Sequence, residues 1–317
     1  MLPKKELYIA TKATVGLKGF FRLRTINKFS GKVRIDTGWF PNKILDAGRN
    51  VMADDSTWMN YCQVGTDNTA PTAAQTALLG YHAGTSNITS TLDGQSGSAP
   101  YYGWKRKVYR FAAGTVAANL SEVGVGWATS GSTLISRALI LDPVLQTPTT
   151  ITPLIDELLE ILYELRYYAP IADVNGPQVT LNGIVYDTIT RASEVTSNAW
   201  SAGIGSAMGQ LSTGINDWTA YDGVLGTVLQ APNGIVANCD NANQYNSAYV
   251  NNSYEIQMNC ATGSTGWNLG AGIRSIRIKT TAGNYQTQFD SNPGGNRIPK
   301  TTSFTMLMSW TLAWAEL

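Results

Sequence analysis

Residues 304–315 read FTMLMSWTLAWA. Phe304, Met306, Met308, Trp310, Leu312 and Trp314 take every second position, and Thr305, Leu307, Ser309, Thr311, Ala313 and Ala315 take the others. A period of two belongs to an extended strand, whose successive side chains point to opposite faces. Large apolar groups therefore line one face for the whole length. A strand with such a face aggregates if it is left open at a sheet edge. The segment is thus predicted to be a central strand, or to be covered by another subunit.

The same pattern recurs upstream. RSIRIKT (274–280) is a strand, followed by a turn at Ala282, Gly283 and Asn284. Residues 255–258 give a further short strand. Residues 122–127 and 134–141 form a hairpin with Gly131 in its turn, where positive φ costs a glycine nothing. Residues 101–111 form a strand that mixes aromatic and basic residues, and the Gly- and Ser-rich stretch 89–100 before it reads as a contact loop. DELLEILYELRYY (156–168) fits an amphipathic helix, yet it also alternates. Pro153 and Pro170 bracket it and its surroundings are β, so a strand is predicted. Helices are expected only over 43–53, over 73–79 and in a piece between 195 and 211. The fold class is therefore all-β, mainly antiparallel and β-sandwich-like, with a few short helices. A composition change near 169–176 divides the chain into domains 1–170 and 171–317, the second denser in Asn, Gly, Ser and Thr. No short repeat suggests a solenoid or propeller.

Charged residues make up 14% of the 317, against about 25% in an average soluble domain. Hydroxyls and amides take their place, as on a surface shared with neighbouring copies. With 23 basic and 22 acidic residues there is no basic stripe, and no nucleic-acid partner is expected. The cluster Lys105, Arg106, Lys107 and Arg110 reads as a solvated strand edge. No apolar run is long enough for a membrane helix, and no secretory leader is evident, so synthesis in a reducing cytoplasm is expected. Cys62, Cys239 and Cys260 are too few for a disulfide framework. Buried free thiols are expected, with a Cys239–Cys260 bridge as the alternative.

Catalytic constellations are scarce. Any triad has to use His82, the single histidine, and no nucleophile elbow accompanies it. Paired carboxylates for sugar cleavage, about 5–10 Å apart, find candidates in Asp217 and Asp222 around Trp218 and Tyr221, with Asp187 and Asp240 further off; turn-forming aspartates beside core aromatics are the preferred reading. A calcium site over 239–243 has too few carboxylates. No catalytic residue, cofactor or metal is assigned, and the chain is expected not to be an enzyme. Candidate interface or binding residues are Tyr245, Tyr249, Tyr254 and Trp267, set in the Asn- and Ser-rich stretch 233–272, together with Trp310 and Trp314.

Three groups of motifs carry a resemblance. DTGWFPNKILDAG (36–48) is followed by CQVGTDNTAP (62–71) and QTAL (75–78); VGVGW (123–127) is followed by SRALI (136–140) and Asp142; YELRYY (163–168) comes third. In this order, with IPK (298–300) before the closing strand, they resemble tail-associated structural proteins of double-stranded DNA bacteriophages, of the tail-fibre or minor-tail kind. The chain departs from that pattern after Trp314, where Ala315, Glu316 and Leu317 stand in place of a basic residue. The resemblance implies a virion protein of the tail or neck that forms a homo-oligomer, a trimer being favoured. It would contact other tail or neck proteins and contribute to attachment to a host-surface glycan or protein. Domain 1–170 would be the scaffold, and 171–317 host-facing or inter-subunit. A capsid decoration or head-fibre protein, or a glycan-degrading tailspike, is the alternative. From the residues themselves, Asn42 is expected to cap a turn over 43–47 that Gly48 ends. Glu164 and Arg166 are expected to pair across strands or subunits.

Overall fold

The computed structural model describes residues 5–54, 57–181, 183–198, 200, 217–238, 244–263, 266–291, 294–300 and 304–317. Among the described residues strand accounts for 53% and helix for 4%, which makes the fold all-β with antiparallel sheets. The chain forms two compact units. One holds 1–16, 94–103 and 168–315; the other holds 17–93, 104–167 and 316–317. The expected partition at 170 left 1–16 and 94–103 with the N-terminal half. A single strand, Lys5–Asn27, is long enough at 23 residues to contribute to both units.

The unit built mainly from the C-terminal half has two sheets. In one, the order is Val174–Asn175, Ile184–Ser193, Gly283–Ser291, Ser275–Thr280, Asp217–Tyr221 and Val236–Asn238, with Val179–Leu181 also on Ile184–Ser193. In the other, Gln244–Asn246, Glu255–Thr262 and Phe304–Glu316 follow one another, and the last lies beside Lys5–Asn27. Phe304–Glu316 is therefore central, as its apolar face requires. Met306, Met308, Trp310, Leu312 and Trp314 are all buried. Rings join the two sheets: Tyr285 packs on Trp310 at 4.8 Å and on Trp200 at 5.8 Å. Gly283 takes φ 105 in the predicted turn, and a Cβ there would lie 2.5 Å from the Trp200 ring.

The other unit is also two-layered. Its first sheet runs Lys5–Asn27, Glu157–Tyr168, Tyr102–Phe111 and Ile88–Gln95, with Val33–Asp36 and Phe40–Pro41 added to the first strand. Its second runs Lys43–Ile44, Leu134–Leu139, Glu122–Gly126, Tyr61–Gly65 and Tyr81–Thr85. The predicted hairpin is present with Arg137 opposite Gly124, and Gly131 has φ 80. Residues 157–168 are a strand, because Leu159, Ile161, Tyr163, Leu165 and Tyr167 form one fully buried face.

Several expectations are corrected. Ile88–Gln95 is a strand and not a loop; its Thr89 hydroxyl and Asn87 carbonyl bond the Tyr102–Phe111 strand at Val108 and Arg110. The helix spans Asp46–Asp54, and 43–44 form a short strand. Gly48 lies inside that helix, where it lets the backbone approach Ile135; a Cβ there would sit 2.4 Å from the Ile135 Cα. Asn42 caps nothing: its N–H donates to the Gly19 carbonyl. Residues 73–79 are turns, because their backbone serves other elements: Ala73 accepts from Asp46 and Thr76 from Leu134. Most of the helix expected between 195 and 211 lies outside the described residues. Cys62 is a buried free thiol whose pKa burial raises well above its usual value. Cys260 is disulfide-bonded, against the free-thiol expectation. Cys239 lies outside the described residues.

Candidate interaction surfaces

The six aromatic candidates do not form one surface. Trp310 and Trp314 are buried on the central strand, and Trp267 is buried against Trp218 at 6.4 Å. These three indoles are core, because each sits where two layers need bulk. Tyr249 stacks on Trp314 at 5.9 Å, and Tyr254 accepts the Trp314 N–H through its carbonyl. Both tyrosines are half-buried, and Tyr245 alone is exposed. The surface candidate of this region reduces to Tyr245 with the exposed Val250 five residues on.

The candidate chemistry resolves in a similar way. Asp217 is paired with Lys279 at 2.9 Å, and Asp222 accepts the Ile235 N–H at 2.7 Å. Their supposed sugar-stacking partners Trp218 and Tyr221 are buried. Asp187 accepts from Gln178 at 2.7 Å. His82 is exposed on the Tyr81–Thr85 strand. Asp240 and the 239–243 stretch lie outside the described residues. Among the described residues, no three His, Cys, Asp or Glu side chains gather as a metal site would require.

The resemblance motifs, by contrast, converge. Glu122 and Arg137, both fully buried, pair at 2.7 Å across the hairpin. Arg137 also donates to Gln75 at 3.0 Å and reaches Asp67 at 3.6 Å. The Glu122 carboxylate accepts the N–H groups of Leu79 and Gly80. Motif segments 62–71, 75–78 and 136–140 thus meet at one ion pair, whose acid, Glu122, immediately precedes the 123–127 motif, and the N–H groups of Leu79 and Gly80, just past 75–78, complete it. Glu316, at the position that departs from the family pattern, pairs with Lys43 and accepts the Ile44 N–H at 2.9 Å.

A richer surface lies on the outer face of the 17–27, 157–167 and 104–111 strands. Alternation puts Phe20, Arg22 and Arg24 on that face, with Glu160, Glu164 and Arg166 from the second strand and Trp104, Arg106 and Arg110 from the third. Arg106 donates to Glu164 while lying 5.0 Å from both the Trp39 and the Trp104 ring. Arg166 bonds the other oxygen of Glu164 at 2.7 Å and lies 4.3 Å from the Phe20 ring. The expected Glu164 pairing is thus made across strands. Glu160 bridges Arg24 and Arg110. Burial works to raise the Glu160 pKa, but the two arginines outweigh it and hold the carboxyl below its usual range. Both carboxylates are engaged by two arginines each. What the face presents is half-exposed indole, phenyl and guanidinium: Phe20, Trp39, Trp104, Arg106 and Arg166.

The basic cluster Lys105, Arg106, Lys107 and Arg110 does not sit on a solvated edge. Tyr102–Phe111 instead lies between two strands, and Lys105 and Lys107 are buried on its inner face. The missed signal was the alternation itself, Trp104, Arg106 and Arg110 against Lys105, Lys107 and Tyr109. No protein-family model, curated protein or solved structure matches the chain.

Proposed function

We propose that this chain is a non-catalytic structural protein of a double-stranded DNA bacteriophage virion, in the tail or neck, working in several copies. The observation that carries the reading is the arginine–aromatic outer face. Tryptophan and arginine are the residues that anchor protein interfaces, and here the carboxylates between them are already neutralised. A braced sheet carrying such a face binds a partner without rearranging, as a scaffold component must. The charge-poor composition and the motif resemblance support the same reading. The neighbour on this face is another tail or neck protein, and the exposed Tyr245 and Val250 are the side chains offered to a host-surface glycan or protein.

Symmetry-averaged imaging of particles carrying a labelled copy of the chain tests this. Density at the tail or neck in multiple copies is expected. Density on the head shell would replace the reading with a decoration protein. Release of reducing ends from host polysaccharide by the purified chain would replace it with a tailspike. Trp104→Ala combined with Trp39→Ala, both half-exposed on this face, is expected to remove the protein from particles while leaving it folded by circular dichroism.

A further inference from the structure

Two braced loops of the 17–93, 104–167 unit hold large apolar side chains in water. The turn after Lys5–Asn27 is fixed by Asn27, whose side-chain oxygen accepts the N–H groups of Phe29 (3.1 Å) and Ser30 (3.0 Å). Lys28 N–H donates to the Asp156 carbonyl at 3.0 Å, which ties this turn to the 154–157 loop. That loop is itself closed by Leu154 N–H on Glu157 and by Glu157 on Arg34. On this rigid tip Phe29 is 81% and Ile155 76% exposed. Ordered backbone beneath exposed apolar groups is a preorganised anchor, because binding does not have to freeze it.

The second loop, 142–147, is closed by Asp142 N–H on Thr147 and by the Asp142 carboxylate on the N–H groups of Val144 and Leu145. It holds Val144 84% and Leu145 72% exposed. Beside it opens a recess of about 290 Å³, with Pro41, Pro71, Leu139, Leu141 and Pro148 among its walls. A phenyl ring and a butyl group are of a size to enter such a space. Charge agrees with the match. Among the described residues, Lys28 and Lys32 beside the tip have no carboxylate partner, the tip's Asp156 being taken by the Asn27 amide, and Asp142 beside the recess has no cation, the wall's Lys43 being paired with Glu316.

Tip and recess cannot meet within one copy. Val33, at the tip, pairs with Ile26, while Pro41, in the recess wall, pairs with Phe20. Six residues of strand separate the two levels, about 20 Å at 3.3 Å per residue.

We propose that Phe29 and Ile155 of one copy seat in the Pro41–Pro71–Leu139–Leu141–Pro148 recess of the next, with Val144 and Leu145 packing over them. The contact uses different surfaces on its two sides, so it is heterologous and propagates head to tail into a ring or a filament. Lys28 and Lys32 face Asp142 at the rim. The four exposed side chains and the recess would form the centre of an interface that commonly covers about 800 Å² per partner. This inference rests on the proposed multi-copy role and names the surface that performs it.

The test uses the full chain with Phe29→Asp and, separately, Leu145→Asp, followed by sedimentation and native mass measurement. The wild type is expected to form species larger than a dimer. Each variant should self-associate at least about thirtyfold more weakly, the loss of one anchoring side chain. Because both residues are largely exposed, the variants should fold as the wild type does by circular dichroism. Mixed together, the two variants should form a heterodimer and stop there, since one intact tip meets one intact recess. If both variants assemble as the wild type does, this contact is wrong while self-association stands. If each is monomeric and the mixture forms no heterodimer, the two patches do not face each other. A wild type that stays monomeric at tens of micromolar would remove the multi-copy reading and this contact with it.

Discussion

The two units differ in the polar groups they bury. The 17–93, 104–167 unit buries four carboxylates, each held by arginine, alongside neutral groups such as Thr37 and Gln63: Glu122 with Arg137, Glu157 with Arg34, Glu160 with Arg24 and Arg110, Glu164 with Arg106. In the other, among the described residues, the buried polar side chains are neutral apart from Lys300. Gln286 lies fully buried with its amide nitrogen 3.0–3.3 Å from the carbonyls of Ala192, Gly226, Thr227 and Gln230, and its oxygen accepts the Gly226 N–H. Thr190 meets Thr287 at 2.7 Å, and Ser309 meets Asn259 at 2.6 Å. Ion pairs are directional and register-fixing, but they fail abruptly when one member is lost. Amide and hydroxyl networks lose less at each step and are indifferent to pH in the ordinary range.

The largest expected effect comes from breaking a pair. Arg137→Met leaves the buried Glu122 carboxyl without its guanidinium partner, at a cost of about 3–5 kcal/mol. Amide exchange should accelerate in Glu122–Gly126 and Tyr61–Gly65, while Gly283–Ser291 stays protected. Equal loosening of both units would show that the ion pair does not belong to one unit's stability. The matching change in the neutral network is Gln286→Leu, of similar volume. It strands the Gly226 N–H, at about 1–3 kcal/mol for a buried group left without a partner, while the Gly226 and Gln230 carbonyls keep Arg191 and Ser193 as donors. Urea denaturation should then show protection falling first in Gly283–Ser291, and by less than Arg137→Met removes from its own unit.

How much of this was legible depends on the range of the interaction. The strand 304–316 was readable because alternation is local, and so were the 122–139 hairpin and the extended form of 157–168. The Glu122–Arg137 lock was not, since Gln75 and Asp67 reach it across more than fifty residues. Residues 89–100 read as a loop because Ser, Thr and Gly are frequent there, although the β-branched Ile88, Thr89 and Thr91 also suit a paired strand. Trp267 read as a surface residue from its polar neighbours, whereas burial is decided by what packs above it. The arginine–aromatic face lay hidden because its members come from separate strands and meet only once the sheet has formed.

Acid should separate the units further. Arg34 holds the Glu157 carboxyl below its usual range, Arg22 does the same for Asp36, and the arginines on Glu160 outweigh its burial. Groups with lowered folded pKa values contribute stability that is complete above their unfolded values, near 4, and is lost as pH falls through the folded ones. Lowering the pH from 5 to 2.5 should therefore expose amides of Glu157–Tyr168 before those of Gly283–Ser291. The reverse order would mean that the ion pairs do not govern acid stability here.

The smallest effect lies on the alkaline side and has the opposite sign. Lys107 is buried on the inner face of its strand, where its ammonium meets Asn60 and no carboxylate. Burial lowers its pKa to about 8, with the charge of Lys105 adding to the shift. In the unfolded chain the value returns to about 10.4. Between these values the unfolded state binds more protons than the folded one, so stability rises with pH. Titration of this group from pH 7 to pH 9 should add about 1 kcal/mol, given ~1.4 kcal/mol per pKa unit. Lys107→Met removes the ammonium and keeps most of the chain length, so the variant should be more stable than the wild type at pH 7 and lose that alkaline gain. Urea midpoints at pH 7, 8 and 9 measure both. A variant that keeps the wild-type slope would assign the rise to another group, and one that is weaker at pH 7 would show that the Asn60 bond outweighs the burial of the charge.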